Sequence, residues 1–168
     1  MPPWAAILWV FIDFALINMA YHGVVWHTGR VVKGYGVASG QAVDCPYPGG
    51  SIRLQKPCFL EAGLDLSECF NGTLNLSIFP SSFKLISPEF TFSELFWPGG
   101  CETFSFSRCY LNYGEIPASG WIYYPHSETK PDHLHPDHVM EILAPRLQGI
   151  SYGSLLAVGI KADEVLIR

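Results

Sequence analysis

The sequence has few basic residues and no run of them. Its 168 residues contain 10 Lys and Arg against 15 Asp and Glu, which gives a formal net charge of −5 at pH 7. Proteins that bind nucleic acid through its phosphates need a concentrated patch of positive charge. The charge pattern therefore excludes nucleic acid as a partner held by bulk charge. With 49% hydrophobic residues, the chain is also too apolar to be mainly disordered.

The cysteines lack the spacing of a structural zinc site. They are Cys45, Cys58, Cys69, Cys101 and Cys109. None of them forms a CxxC pair, which is the usual half of a zinc-binding set. Their number is odd, and a chain of this length can build a core without a disulfide framework. We therefore expect buried or half-buried thiols in a reducing compartment, which places the protein in the cytoplasm.

Several catalytic and nucleotide-binding motifs are missing. The sequence contains no GxxxxGK[ST] motif and no GxSxG motif, which excludes a Walker loop and the nucleophile elbow of α/β-hydrolases. The GxG at 34–36 precedes no clear helix pattern, so it does not match the dinucleotide-binding fingerprint. A glycine turn between strands is the more common explanation of this segment, although glycines also let a backbone approach a phosphate.

The N-terminal segment is apolar but does not match a signal peptide. Residues 4–20 are interrupted only by Asp13 and one Asn, and no Lys or Arg precedes them. A charge in the middle of a membrane span costs roughly 2.5–3.5 kcal/mol. We therefore expect translation to begin at Met19, with residues 1–18 outside the protein and one domain over 19–168. A membrane anchor through residues 4–20 is the alternative.

The composition and the periodicity predict a mostly β protein. The 16 Gly and 13 Pro indicate many turns, and short alternating segments indicate strands. A short helix is expected at 58–70, broken by Gly63 and restarted at Asp65, and irregular chain is expected at 34–50 and 80–100. The strands are expected at 23–33, 71–79, 102–112, 120–124, 138–143, 154–160 and 164–167. The predicted class is all-β with one or two short helices, as a barrel or a sandwich.

Two polar residues of the clearest strand are candidates for metal binding. Thr73 and Asn75 follow Gly72 and point to the same face of the strand, since residues i and i+2 share a face. Their oxygen atoms suit a hard cation such as Mg²⁺, which brings phosphate oxygens with it. The competing explanation is a solvated strand face that carries Thr, Asn and Ser.

A cluster of histidines is a second candidate. It comprises His126, His133, His135 and His138, with Asp132 and Asp137 nearby. Their spacing matches no helical HExxH arrangement, and Pro131 and Pro136 indicate a loop. A polar loop with titratable side chains is the more common explanation.

The order of four segments resembles that of a known enzyme family. The segments are GRVVKGYG (29–36), CFNGTLNLSI (69–78), YYP (123–125) and HVMEILAP (138–145). Together they resemble the CTP-dependent riboflavin kinases of archaea. The chain is also similar to a group of bacterial proteins, known mainly from cyanobacteria, that carry the same barrel with FSFSRC and YYPH segments. The resemblance implies a small closed cradle-loop β-barrel over about 27–168, with an insertion at about 80–120.

The resemblance also implies the site residues. The nucleotide-binding positions are Gly34, Tyr35, Gly36, Val37, Ala38, Ser39, Arg146, Leu147, Gln148 and Gly149. Thr73 and Asn75 match the Mg²⁺ ligands, and Glu141 matches the carboxylate that contacts the flavin. The implied reaction is in-line transfer of a phosphoryl group from CTP, or another nucleotide, to riboflavin to give FMN. We expect Glu141 to be the catalytic residue, orienting the ribityl chain.

The sequence departs from the family at two places. The kinases have Thr eight residues before the Glu, where this chain has His133, so Thr129 takes that flavin-binding position only with a four-residue insertion. The segment 80–120, rich in Phe and Trp, is placed to cover or fill the flavin pocket. The alternative function is a non-catalytic barrel that binds a nucleotide or a flavin, or serves as an interaction module.

Overall fold

The computed structural model describes residues 21–113, 117–130, 132 and 134–168. The apolar stretch 4–20, the expected start at Met19 and the candidate His133 lie outside the described residues. Within the described ranges, no helix has the length and apolarity needed to cross a membrane.

The described chain is mostly β-strand with one helix, which confirms the predicted all-β class. The elements in chain order are β1 (Val24–Val32), α1 (Ser51–Glu61), β2 (Leu74–Ser77), β3 (Phe83–Leu85), β4 (Phe90–Trp97), β5 (Gly100–Asn112), β6 (Ala118–Pro125), β7 (Val139–Leu143), β8 (Leu155–Lys161) and β9 (Val165–Ile167). Seven of these strands form one antiparallel sheet in the order β4-β5-β6-β7-β2-β1-β8, and β3 pairs with β9 in a second.

The large sheet curves until its strands form a ring. β8 pairs with β1 along its length and also with β5, where Cys109 lies opposite Ile160. The six strands β5, β6, β7, β2, β1 and β8 are therefore linked in a continuous cycle of hydrogen-bonded ladders. The segment 80–120 contributes β4 and β5. β5 is a strand of the ring, and β4 pairs with it at the end of the sheet.

Two apolar clusters lie on opposite faces of the ring strands. The alternation along β6 separates them, because Ile122 belongs to one cluster while Trp121 and Tyr123 belong to the other. In the second cluster α1 covers β4, β5 and β6. The ring of Phe59 there lies 5.1 Å from that of Phe104 and 4.9 Å from that of Phe106. Aromatic pairs at these separations stabilise a core beyond the area they bury.

Two sequence predictions of local structure are wrong. The helix expected at 58–70 lies earlier, and its interior contains Pro57, a residue that normally argues against a helix. The Asp65 carboxylate accepts the Ser67 N–H at 2.8 Å in a turn and starts no helix. The chain at 80–100, expected to be irregular, contains β3 and β4, because distant strands supply their hydrogen-bond partners.

Residues 34–50, which we call the glycine loop, end at Gly50, directly before the start of α1. The φ of Gly50 is +92°, and a Cβ there would overlap the carbonyl oxygen of Ala38 and lie 2.7 Å from the carbonyl carbon of Ser39. We expect Gly50→Ala to lower the free energy of unfolding by about 3 kcal/mol, because the left-handed backbone and the displaced loop both cost energy. Chemical denaturation of the purified variant measures this.

Gly63 provides the matched control at the other end of α1. Its φ is +103°, but a Cβ there meets nothing within 4 Å. Gly63→Ala should therefore lose only about 1 kcal/mol, from the backbone conformation alone. Equal losses in the two variants would contradict the proposed overlap at Gly50.

Candidate functional site

One cavity of about 1300 Å³ lies between the glycine loop, β2, β7, the start of α1 and the turn between β4 and β5. Pockets that hold one drug-sized ligand usually measure about 300–1,000 Å³. This cavity is therefore large enough for two small molecules side by side.

The cavity brings together most of the residues that the sequence singled out. Those that line it are Gly34, Tyr35, Gly36, Val37, Ala38, Ser39, Thr73, Asn75, Thr129, Glu141, Arg146 and Leu147. Gln148 and Gly149 do not line it, and the carbonyl oxygen of Gly149 instead accepts a bond from the Tyr113 hydroxyl at 3.1 Å. Residues from four separate parts of the chain thus meet at one place.

Three oxygen-bearing side chains converge where β2 pairs with β7. Asn75 lies directly opposite Glu141 in the antiparallel ladder. The Thr73 hydroxyl Oγ1 lies 3.4 Å from Oδ1 of Asn75 and 3.5 Å from Oε1 of Glu141. Hydroxyl, amide and carboxylate oxygens are the donors that Mg²⁺ prefers, and a magnesium ion usually keeps room for phosphate oxygens. Thr73 and Asn75, the predicted metal ligands, thus offer two oxygen donors of this kind close together.

The carboxylate of Glu141 lies between two nitrogen groups that the sequence did not assign to the site. Lys130 Nζ is 3.8 Å from Oε2, and His135 Nε2 is 3.8 Å from Oε1. Burial raises the pKa of Glu141, while the Lys130 charge and the Thr73 hydroxyl partly oppose that rise. Burial, together with Lys130, lowers the pKa of His135, which favours the neutral imidazole.

The two other described histidines of the predicted cluster have separate partners. Nε2 of His126 lies 2.8 Å from the Ser105 hydroxyl, and the His138 ring packs edge-on against Phe79 with centroids 5.7 Å apart. His135 alone among these three lines the cavity. In the described part of the chain, no three His, Cys, Asp or Glu side chains are grouped so that they could hold a metal ion.

Carbonyl groups of the glycine loop accept hydrogen bonds from within the protein. The oxygen of Gly36 accepts bonds from the N–H groups of Gln41 and Ala42, and the oxygens of Val37 and Ala38 accept bonds from the first residues of α1. The N–H groups of residues 36–39 donate to no acceptor among the described residues. Successive free N–H groups of this kind form an anion-binding concavity.

Two other predicted residues are held in place by neighbours. The hydroxyl Oγ1 of Thr129 accepts the Thr103 N–H at 2.9 Å and donates to the carbonyl oxygen of His126 at 3.1 Å, so its hydrogen-bonding capacity is largely used. The Arg146 guanidinium lies over the ring of Phe70, 5.3 Å from its centroid. Such a cation–π contact positions the cation at the cavity while leaving its charge in place.

The cysteines are free thiols in the structure. Cys109 is buried, Cys45, Cys58 and Cys69 are half-buried, and Cys101 is exposed near the start of β5. The expectation of buried or half-buried thiols is therefore wrong for Cys101. Cys101 lines the cavity, which leaves its side chain outside the core.

Comparison with known proteins assigns no family to the chain. No protein-family model matches it, and no curated protein sequence is significantly similar to it. We therefore infer function from the residues that line the cavity.

The buried Glu141 predicts a pH-dependent stability. Because its pKa is raised above the ordinary 4.5, the folded protein keeps a proton that the unfolded chain releases at that pH. The stability that this proton contributes is fully present below pH 4.5 and is lost as the pH rises through the raised pKa. Glu141→Gln cannot ionise, so its Tm should rise relative to that of the wild type as the pH increases.

Thermal unfolding of both proteins in buffers from acid to neutral pH measures this difference. Glu61→Gln is the control, because it makes the same change of side chain at an exposed position at the end of α1. A Glu141→Gln advantage that shrinks as the pH rises would contradict the burial of this carboxylate.

Proposed function

We propose that this protein is a riboflavin kinase that transfers a phosphoryl group from CTP, or another nucleotide, to riboflavin. The observation that carries the proposal is the shared cavity, in which the glycine loop adjoins Thr73, Asn75 and Glu141. The six-stranded ring supports the finer assignment of the fold as a closed cradle-loop β-barrel. Free thiols support a cytoplasmic, reducing setting.

The glycine loop and the basic residues would bind the nucleotide. The free N–H groups of residues 36–39 suit the phosphate oxygens, and Arg146 adds a cation at the other side of the cavity. Thr73 and Asn75, with their oxygen atoms 3.4 Å apart, would hold a Mg²⁺ ion. A bound magnesium ion would neutralise charge on the phosphates.

Glu141 would orient the acceptor hydroxyl. In the proposed reaction the 5′ oxygen of the ribityl chain forms a bond to the terminal phosphorus, and the bond from that phosphorus to the bridging oxygen breaks. CTP becomes CDP, riboflavin becomes FMN, and the hydroxyl proton is released. Because phosphoryl transfer depends chiefly on positioning and charge neutralisation, Glu141 contributes by accepting a hydrogen bond from the attacking hydroxyl.

The direct test is product formation by the full-length chain. The protein is incubated with riboflavin, Mg²⁺ and one of CTP, ATP, GTP or UTP, and FMN is quantified by chromatography. We expect FMN with CTP at a higher rate than with the other nucleotides. Folded protein that yields no FMN with any of the four would overturn the proposal.

A non-catalytic binding protein is the second candidate. It is favoured by the contacts of Glu141, whose two oxygens already lie 3.8 Å from Lys130 and His135. Those contacts compete with a substrate hydroxyl for the carboxylate. Riboflavin or CTP binding without turnover would favour this candidate.

A further inference from the structure

The turn between β4 and β5 gives the cavity an aromatic wall. Trp97, the last residue of β4, is 7% exposed and lines the cavity together with Tyr47 from the loop before α1. Their ring centroids are 5.0 Å apart, with the planes inclined at 54°. Two large rings in one wall provide a surface for stacking another flat ring.

Side chains that can form hydrogen bonds line the cavity together with these two rings. The Tyr123 hydroxyl donates to Oε1 of Gln55 at 3.1 Å, and these two side chains are 5% and 2% exposed. The amide nitrogen of Gln55 donates to no acceptor among the described residues. The carboxylate of Glu102 lines the cavity as well. The amide N–H of Gln55 and the carboxylate of Glu102, which lies close to the Trp97 side chain, thus line the cavity together with the aromatic pair.

Lys130 lines the cavity near Glu141, the residue proposed to orient the acceptor hydroxyl. Its Nζ lies 3.8 Å from Oε2 of Glu141. Burial raises the pKa of Glu102, and the charge of Lys130 partly opposes that rise. Lys130 therefore interacts electrostatically with both carboxylates. Trp97 and Glu141 line the same cavity, so a ligand stacked on Trp97 would share that cavity with the proposed reaction.

We propose that Tyr47, Trp97, Gln55 and Glu102 form a subsite for a planar nitrogen heterocycle that carries N–H donors. The aromatic pair stacks the ring, Glu102 accepts a hydrogen bond from its N–H group, and Gln55 donates to its carbonyl or ring nitrogen. This inference rests on the proposed function, because each of its substrates carries such a ring. Flavin and cytosine are therefore the two sources to be distinguished.

Equilibrium binding tests the subsite without requiring catalysis. Riboflavin and cytidine are titrated separately into the full-length protein in the absence of Mg²⁺, riboflavin by its fluorescence and cytidine by calorimetry. The variants are Tyr47→Leu, which removes one ring, and Glu102→Gln, which keeps the side-chain size and removes the anionic acceptor. We expect each variant to bind one of the two probes about tenfold to hundredfold more weakly.

The same hairpin offers matched controls. Phe96 and Glu94 belong to β4, are exposed, and do not line the cavity. Phe96→Leu and Glu94→Gln should leave both affinities within about twofold. Thermal unfolding verifies that each variant is folded, and the conservative Glu102→Gln keeps the test valid if Tyr47→Leu does not fold.

The outcomes separate this inference from the proposed function. Weaker riboflavin binding identifies the flavin as the occupant, and weaker cytidine binding identifies the nucleobase. A wild-type protein that binds neither ring, or variants that bind both rings as well as the wild type does, would overturn the subsite. FMN formation with unchanged affinities would support the kinase activity and contradict the subsite. Altered affinities without FMN formation would support the subsite and contradict the kinase activity.

Discussion

Asn75→Ala is expected to lower the rate of FMN formation by about 100-fold or more while the protein remains folded. Asn75 is 8% exposed, lines the cavity, and places Oδ1 3.4 Å from the Thr73 hydroxyl. The substitution removes one of the proposed metal ligands, and a small misplacement of reacting groups already costs on the order of 10²-fold. Initial rates at saturating riboflavin and CTP, over a range of Mg²⁺ concentrations, measure the loss.

Ser77 is the matched control on the same strand. It lies two residues beyond Asn75 on the same face of β2, but it borders a separate small groove next to Phe79 and His138. Ser77→Ala should therefore keep the rate within about twofold. An Asn75→Ala protein as active as the Ser77→Ala protein would show that the amide does not serve the reaction.

Gly34→Ala is expected to disturb the same site from the opposite side. A Cβ at Gly34 would overlap Nδ2 of Asn75 and lie 3.0 Å from its Cγ. Because Asn75 is buried, its side chain has little room to move away. We expect a loss of about 2 kcal/mol in the free energy of unfolding and a fall in FMN formation comparable to that of Asn75→Ala.

A double variant isolates this contact. The three atoms nearest to the added Cβ are Nδ2, Cγ and Oδ1 of Asn75, and Asn75→Ala removes all of them. In the Asn75→Ala background, Gly34→Ala should therefore lower the free energy of unfolding by less than about 0.5 kcal/mol. Chemical denaturation of the four proteins gives the interaction energy of the pair. Additive losses would mean that Gly34 is constrained by something other than Asn75.

The strands that the sequence predicted share a local signal. In 71–79, polar residues alternate with Leu74, Leu76 and Ile78, and the structure places β2 there with Leu76 and Ile78 buried. Alternation follows from the geometry of a single strand, in which neighbouring side chains point to opposite faces. It can therefore be recognised without knowledge of the partner strand.

The elements that the sequence missed depend on distant partners. α1 contains Pro57 and is stabilised by Phe59, which packs against two rings of β5 more than 40 residues further along the chain. β4 lies in a Pro- and Phe-rich segment, and its extended conformation is completed by pairing with β5. Tertiary contacts outweigh local propensity in both cases.

Some residues of the candidate site can be recognised from the sequence, whereas others become apparent only in the tertiary structure. Motif order in the sequence singled out Thr73, Asn75 and Glu141, and the ladder between β2 and β7 brings them together. Lys130 and the aromatic wall at Trp97 carried no motif, and they become candidates only because they line the same cavity.

The sequence by itself determined the mostly β class, the positions of most strands and the choice of Thr73, Asn75 and Glu141, which line the cavity, because strand alternation and short motifs are properties of neighbouring residues. The tertiary structure alone decided that the ring closes through β5 and β8, that α1 covers the second apolar cluster, and that the β4–β5 turn forms a wall of the cavity. Each of these features depends on contacts between residues far apart in the chain, whose energies no local pattern records.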